Sequence, residues 1–462
     1  MDFARWKKNR ELGEEVNLLV GGCRQTGKTT TISKFAHESY ETVVLIDFSN
    51  PEHIRRFDEW TRETRELLTA EAYTDFFSRF KYDFKDSPSA IVFVDEIQCC
   101  PGFYNMLRSI THKMKSHLIA AGSNLRRLYD DPNVVKIAEE VEEIEMRGLS
   151  FPEFLGAFKL RGLYDSIDLY GNSQVSKYEE LSAAFELYLK LGGYPAVLRN
   201  YILMRGFGGY DRRMNGILDV FLEEASQRFR NLEDKAMLKH GIACLTRLLL
   251  KETSGKSAVK QLSEYMLKSD GDFGFLNEND YNDSVKRIVS WLTDVNVIKG
   301  CGFVPGCDIN SFKTITKFYF GDVGFACWQL GEIGAGLEDI GSLYKNFVFI
   351  TLNDIIKTSE RGKYLTDIPL HSTYDNGEIG FFLHNRAVNS AFAIDVNYGE
   401  NASASKALAD GKLDFVVKAS GKGPFGIDGK IHAIPIYLLR RFNFDIASGK
   451  PVKYNKDLLK SQ

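Results

Sequence analysis

Ten residues near the N-terminus restrict the fold more than any other part of the chain. Gly21 to Thr30 read Gly-Gly-Cys-Arg-Gln-Thr-Gly-Lys-Thr-Thr, directly after the apolar run Val16-Asn17-Leu18-Leu19-Val20. Within them Gly22, Cys23, Arg24, Gln25, Thr26, Gly27, Lys28 and Thr29 fit G-x-x-x-x-G-K-[ST], and Thr30 opens a helix-compatible stretch that reaches Tyr40. A strand, a glycine-rich turn and a helix in that order make a loop whose backbone N–H groups wrap phosphates. Its glycines let the backbone come close and take positive φ without steric cost. The new helix points its unsatisfied N–H groups and the positive end of its dipole at the anion. Lys28 would neutralise β/γ-phosphate charge and the Thr29 hydroxyl would ligate Mg²⁺. The competing account is a glycine turn with an incidental lysine, and the flanking strand and helix favour the phosphate loop.

Three further apolar runs follow. Thr42-Val43-Val44-Leu45-Ile46-Asp47 reads as a strand. Ala90-Ile91-Val92-Phe93-Val94-Asp95-Glu96 is an apolar run ending in two carboxylates, and a continuous run of this kind is how a buried parallel strand reads. Asp95 would hold Mg²⁺, commonly through water. Glu96 is placed to polarise a water for attack on a γ-phosphate. His117-Leu118-Ile119-Ala120-Ala121-Gly122-Ser123-Asn124 ends in small polar residues. Ser123 and Asn124 could reach the γ-phosphate or the attacking water, or could make an ordinary turn. Apolar runs alternating with helix-compatible stretches predict βαβ units and a mostly parallel sheet.

Further along stand Leu149-Ser150-Phe151-Pro152-Glu153-Phe154, Gly192-Gly193-Tyr194-Pro195 and Lys317-Phe318-Tyr319-Phe320-Gly321-Asp322-Val323-Gly324. With the phosphate loop, the Asp47 strand, Asp95-Glu96 and Gly122-Ser123, this order resembles the prokaryotic AAA-type P-loop ATPases that carry a winged-helix segment and a C-terminal restriction-endonuclease-like domain. The resemblance spans nearly the whole chain. It implies an α/β fold: an N-terminal P-loop parallel sheet with flanking helices (AAA/ASCE type), a helical and winged-helix middle, and an α/β restriction-endonuclease-like C-terminal domain. It also implies ATP binding with Mg²⁺ and ATP hydrolysis.

Departures from that pattern matter as much. Relatives carry a Gly-Arg pair shortly before the Leu-Ser-Phe stretch, where this chain has Glu139 and Glu140. An arginine near the γ-phosphate supplies orders of magnitude in rate in related phosphoryl transfer. Arg126, Arg127 and Arg147 are the candidates to replace it. In the C-terminal region relatives show Glu-x-Asp-Phe and Glu-Val-Lys, where this chain offers Glu378-Ile379-Gly380-Phe381 and Ile394-Asp395-Val396-Asn397. Gly380 thus replaces a metal carboxylate, Asn397 replaces the lysine, and Lys345 stands where relatives tend to have glutamate. Glu378 and Asp395 without the lysine do not make a competent metal site, so a nuclease-like fold without nuclease activity is expected.

Ala258 to Leu267 and Asn282 to Leu292 have helix-like apolar spacing, and Val295-Asn296-Val297-Ile298 reads as the start of a hairpin wing. Such a helix-turn-helix arrangement could place a recognition helix on DNA. Yet Lys251 to Gly300 hold seven Lys/Arg against eight Asp/Glu, so there is no basic footprint. DNA-binding, protein-docking and purely structural readings all stay open.

The 462 residues suggest roughly three domains of ordinary size. The expected organisation is a P-loop ATPase core over 1–149, a helical region over 150–231, a winged-helix-like segment over 232–311 and a nuclease-like domain over 312–462. Within these, helices are expected at Tyr178 to Lys190 and Asp211 to Phe229, and a buried strand at Ile431 to Leu439. A net charge of −3 favours neither nucleic acid nor acidic membrane surfaces. Seven cysteines without a C-x-x-C pair fit reduced thiols. Eight scattered histidines show no metal spacing. There is no basic-then-apolar signal and no apolar run near the ~20 residues a membrane span needs, so a cytoplasmic location is expected.

The functional expectation is an ATP-binding protein, a slow Mg²⁺-dependent ATPase acting as a switch for a partner macromolecule, most simply a protein. Alternatives are an ATP-regulated DNA-binding protein or residual nuclease, and a P-loop kinase. Asp95-Glu96 disfavours the kinase, because a dedicated water-activating glutamate serves hydrolysis. No Asn-Lys-x-Asp run for guanine recognition occurs.

Overall fold

In the computed structural model, the residues described are 3–14, 16–64, 68–123, 125–135, 141–228, 232–251, 256–269, 278–335, 339–396, 402–447 and 450–451. The chain divides into two units, Met1–Gly148 with Asp294–Asn296, and Leu149–Thr293 with Val297–Gln462. Among the described residues no helix is long and apolar enough to cross a membrane. None of the seven cysteines, all of them among the described residues, is in a disulfide.

The N-terminal apolar runs become one sheet. Strands β1 (Asn17–Gly21), β2 (Thr42–Asp47), β3 (Ala90–Asp95), β4 (His117–Ala121) and β5 (Val141–Glu145) lie in the order β2-β3-β4-β1-β5, every pairing parallel. β1, β3 and β4 are buried along their whole length, as a parallel sheet covered on both faces requires. Successive side chains point to opposite faces. Leu19 therefore joins Phe48, Phe57, Trp60, Tyr73, Phe76 and Phe103 in one core, where the Trp60 and Phe76 rings stand 4.9 Å apart. Leu18 and Val20 instead meet Trp6, Ile32, Ala36 and Tyr40 in another. Burying each large apolar side chain contributes about 1.5–3 kcal/mol. β5, reading Val-Glu-Glu-Ile-Glu, is an edge strand of intermediate burial, and its carboxylates discourage edge-to-edge pairing.

The C-terminal unit starts helical and ends in a mixed sheet. Helices Phe151–Ala157, Val175–Leu191, Pro195–Met204, Tyr210–Arg228, Leu232–Leu249, Ala258–Ser269 and Glu278–Asp294 precede the strands. These are β6 (Ile298–Pro305), β7 (Ile315–Phe320), β8 (Leu370–Tyr374), β9 (Gly377–Asn385), β10 (Ser390–Asp395), β11 (Phe415–Ser420), β12 (Gly426–Asp428) and β13 (Ile431–Pro435). They form an eight-stranded sheet in the order β12-β13-β11-β10-β9-β8-β6-β7.

Two sequence expectations change here. The hairpin expected as a wing is β6 with β7, and it does not stand free. β6 pairs in parallel with β8 from Gly302↔Leu370 to Pro305↔Thr373, making the hairpin the outer pair of the large sheet. Alternating apolar residues look the same in a wing and in a sheet edge, because only the non-local partner differs. The strand expected over 431–439 ends at Pro435, after which Ile436–Arg441 turn into a 3₁₀ helix. Ile431–Pro435 and Ile436–Leu439 are both predominantly apolar, so composition alone does not separate them.

The three later motifs converge in this unit. The Glu153 carboxylate accepts from Ser150 N at 2.8 Å and Ser150 Oγ at 2.6 Å, a capping arrangement that starts the helix at Phe151. Leu149 N donates to Gly193 O at 2.7 Å, and Gly193 N donates to Asp322 Oδ2 at 2.6 Å. Gly192 takes φ +71°, and a Cβ there would stand 2.2 Å from Asp322 Oδ1. These motifs are structural: they tie the first helices of the unit to the helix Val323–Glu332.

Candidate nucleotide site

The phosphate loop runs from the end of β1 into the helix Lys28–Ser39. Gly22 has φ +138°, and a Cβ on it would stand 2.0 Å from Met146 O, so backbone occupies the place of any side chain. Gln25 (φ 67°) and Gly27 (φ 87°) are left-handed, which curls the loop back on itself. Thr26 Oγ1 donates to Cys23 O at 2.8 Å inside the curl. Cys23 is buried, Arg24 is half-buried, and Gln25, Thr29 and Thr30 are exposed as residues. Lys28 Nζ donates to Gly22 O at 2.8 Å and Cys23 O at 2.9 Å. Burial pulls the Lys28 pKa down.

The loop lies beside the carboxyl ends of β3 and β4, the usual ligand side of an open parallel sheet. Thr29 Oγ1 donates to Asp95 Oδ2 at 2.6 Å, and Glu96 N donates to Asp95 Oδ1 at 3.0 Å. Burial pushes the Asp95 pKa up, with Glu96 and Asp47 adding to the rise and the Thr29 hydroxyl opposing it. Asp47 stands opposite Asp95 in the β2–β3 register. A hydroxyl and a buried carboxylate side by side are hard oxygen donors suited to Mg²⁺, whose remaining positions are normally filled by phosphates and water. Among the described residues no group of three or more His, Cys, Asp and Glu side chains could hold a metal.

Glu96 sits one residue beyond β3 with φ 50°, ψ 46°. Its Oε1 lies 3.5 Å from Arg24 Nη1. Its Oε2 accepts from Gln98 Nε2 and, at 3.2 Å, from Ser123 Oγ. Ser123 is 3% exposed at the end of β4. Loop, Asp95, Glu96 and Ser123 are therefore brought together, whereas Asn124 lies outside the described residues.

Sequence reasoning passed over Gln98 and gave Arg24 no contact beyond the loop. The one available signal was a polar residue two places after paired carboxylates, where the chain must turn. As for the arginine question, Glu139 and Glu140 lie outside the described residues, as do the side chains of Arg126 and Arg127. Arg147 is half-buried with its guanidinium 3.7 Å from Glu145 Oε2, and desolvation lowers its pKa. It directly follows Met146, whose N–H donates to Gly21 O at 2.7 Å beside the loop.

The residues weighed as a nuclease centre are arranged differently. Glu378 on β9 is ion-paired with Lys317 of β7, both mostly buried, and Lys345 adds positive charge nearby. Asp395 ends β10 and is buried. Gly380 sits on β9, and Asn397 lies outside the described residues.

No curated protein matches the chain. Among solved structures it is similar to a Walker-type ATPase of Pyrococcus abyssi, at 16% identity over 71% of this chain and 95% of that one, with a TM-score of 0.39. It is also similar to the Orc1 protein of Aeropyrum pernix in complex with DNA (14% identity, 71% and 92% coverage, TM-score 0.27). The Holliday junction branch migration motor RuvB of Thermotoga maritima matches at 12% identity over 64% of this chain and 89% of that one, TM-score 0.27. Residues 15–155 match the family model of the AAA domain, and the N-terminal unit thus carries an AAA-type P-loop nucleotide-binding domain.

Proposed function

We propose that the N-terminal unit binds ATP with Mg²⁺ and hydrolyses it slowly, and that the nucleotide state switches the protein's hold on a partner macromolecule. The observation that carries this reading is the closeness of Thr29, Asp95 and Glu96 around one phosphate loop. Lys28 and the loop N–H groups would bind the β- and γ-phosphates. Thr29 and Asp95 would hold Mg²⁺, which when bound screens charge on the transferring phosphoryl group. Glu96 would take a proton from a water as its oxygen bonds to the γ-phosphorus. The bond between that phosphorus and the β–γ bridging oxygen breaks, and ADP leaves with the electron pair. Slow turnover follows from the lost Gly-Arg pair. A net charge of −3 favours a protein partner over nucleic acid.

Phosphate release from ATP by the full chain, with and without Mg²⁺, tests the hydrolysis. Wild type should turn over only with Mg²⁺. Glu96→Gln should bind ATP normally and lose at least ~100-fold in rate, the scale of a general base. Equal rates would show that Glu96 is not the base. The switch predicts that Glu96→Gln retains a partner protein with ATP and releases it with ADP.

A further inference from the structure

Glu96 leaves β3 in the left-handed region, at φ 50° and ψ 46°. A non-glycine residue there is held against a local penalty, and such outliers persist where surrounding structure fixes them. The consequence is geometric. The 3₁₀ turn Ile97–Cys99 folds back immediately, and Gln98, only 5% exposed, returns beside the Glu96 carboxylate. One Gln98 Nε2 hydrogen bond goes to Glu96 Oε2, and the other goes to Ser123 Oγ at 3.2 Å. Ser123 Oγ in turn donates to Glu96 Oε2 at 3.2 Å. Donors and acceptors close this triangle without conflict: the amide supplies two N–H groups, the hydroxyl accepts one and gives one, and a single carboxylate oxygen receives both.

Gly122 makes room for the amide. A Cβ at that position would stand 2.4 Å from Gln98 Oε1 and 2.7 Å from Leu125 Cδ2. The end of β4 is thus shaped around Gln98. Among the described residues the buried Gln98 Oε1 has no hydrogen-bond partner, and its Nε2 makes the two bonds that hold the side chain. With Oε2 doubly bound, Oε1 is the carboxylate oxygen left to face the basic side of the site, where Arg24 lies 3.5 Å away.

We infer that Gln98 is the positioning residue for Glu96: its amide, braced on Ser123, fixes the carboxylate rotamer so that Oε1 is presented to the attacking water. This rests on the ATPase reading above. It also couples the end of β4 to the base, since displacing Ser123 toward a γ-phosphate would loosen one of the two bonds on Oε2.

The test is steady-state ATP hydrolysis by the full chain across pH, with Mg·ATP affinity from fluorescence titration, for wild type, Glu96→Gln, Gln98→Ala, Gln98→Glu and Ser123→Ala. Gln98→Ala should lower kcat by about 10- to 100-fold while ATP affinity stays within about threefold, because positioning acts on the chemical step. Ser123→Ala should do the same more weakly. Gln98→Glu keeps the size of the side chain but replaces the donating amide with an acceptor, so it should lose at least as much kcat as Gln98→Ala, whereas a packing role predicts near-wild-type kcat. Wild-type kcat in Gln98→Ala, or equal losses in kcat, affinity and thermal stability, would overturn the inference while Glu96→Gln remained inactive. If wild type itself did not hydrolyse ATP, or Glu96→Gln matched it, the ATPase reading would fall and this inference with it.

Discussion

The Thr29 hydroxyl donates a 2.6 Å hydrogen bond to the Asp95 carboxylate, joining the first turn of the loop helix to the end of β3 across 66 positions of sequence. The bond holds together the two protein oxygens suited to a shared Mg²⁺. Replacing either should weaken the metal-dependent part of nucleotide binding. For Thr29→Val and Asp95→Asn, affinity for a fluorescent ATP analogue should fall at least about tenfold in Mg²⁺, as expected for loss of a charged or hydroxyl ligand. In EDTA it should change little. Equal losses in both media would place the two residues outside the metal's reach.

Backbone space sets a second prediction. Gly22→Ala would drive a Cβ to within 2.0 Å of Met146 O at a φ of +138°. The expected destabilisation is about 2 kcal/mol or more, with loss of nucleotide binding. Gly216→Ala is the contrast. It lies inside the helix Tyr210–Arg228 with nothing within 4 Å of the new Cβ, and should gain about 0.5–1 kcal/mol. Thermal melts of both variants read the opposite signs.

The buried Lys317–Glu378 pair yields a third. Side-chain exposures are 11% and 17%, so removing Lys317 takes the directly bonded cation from a mostly buried Glu378 and leaves it only the more distant charge of Lys345. Lys317→Met should destabilise by about 3–5 kcal/mol, whereas Lys317→Met with Glu378→Leu should recover most of the loss. Denaturant unfolding of single and double variants measures this, and a double variant no better than the single would remove the stranded charge as the cause.

Asp322 supplies a pH dependence. Burial pushes its carboxyl up to about 6, against the opposing hydrogen bonds from Gly193, Phe325 and Gly324 amides. Unfolded, it returns to an ordinary value near ~4. A raised folded pKa means the folded protein holds the proton more tightly. The contribution to stability is therefore full below pH ~4 and lost as pH rises through about 6. Asp322→Asn cannot titrate, so its deficit against wild type should be larger near pH ~4.5 than near pH ~7.5, by up to about 3 kcal/mol. Urea titrations at the two pH values decide it, and a deficit that grows with pH would contradict the assignment.

What the sequence disclosed and what it hid follow from the range of the interactions. The phosphate loop was legible because its requirements are local: glycine at positive φ, then lysine and threonine at a helix start. Asp95 and Glu96 were legible because a fully buried parallel strand leaves an unbroken apolar trace that ends where the carboxylates begin. Gln98 was hidden because its importance comes from a left-handed turn at Glu96 that no side-chain pattern announces. The pairing of Lys317 with Glu378, and of β6 with β8, joins segments far apart in the chain. Neither lysine nor an alternating strand names its partner.

The parallel join between β6 and β8 also has a temporal side. During synthesis the β6–β7 hairpin leaves the ribosome first, and its inner edge can find no neighbour until Leu370–Tyr374 has followed, with the helices Val323–Glu332 and Ile340–Thr358 in between. Over that interval the nascent chain displays an unsatisfied strand edge, the surface most prone to wrong pairing. Closing it across so long a connection is entropically slow. The helices Val323–Glu332 and Ile340–Thr358 are thus synthesised before the one strand that closes that edge, so the hairpin waits on a segment made well after it.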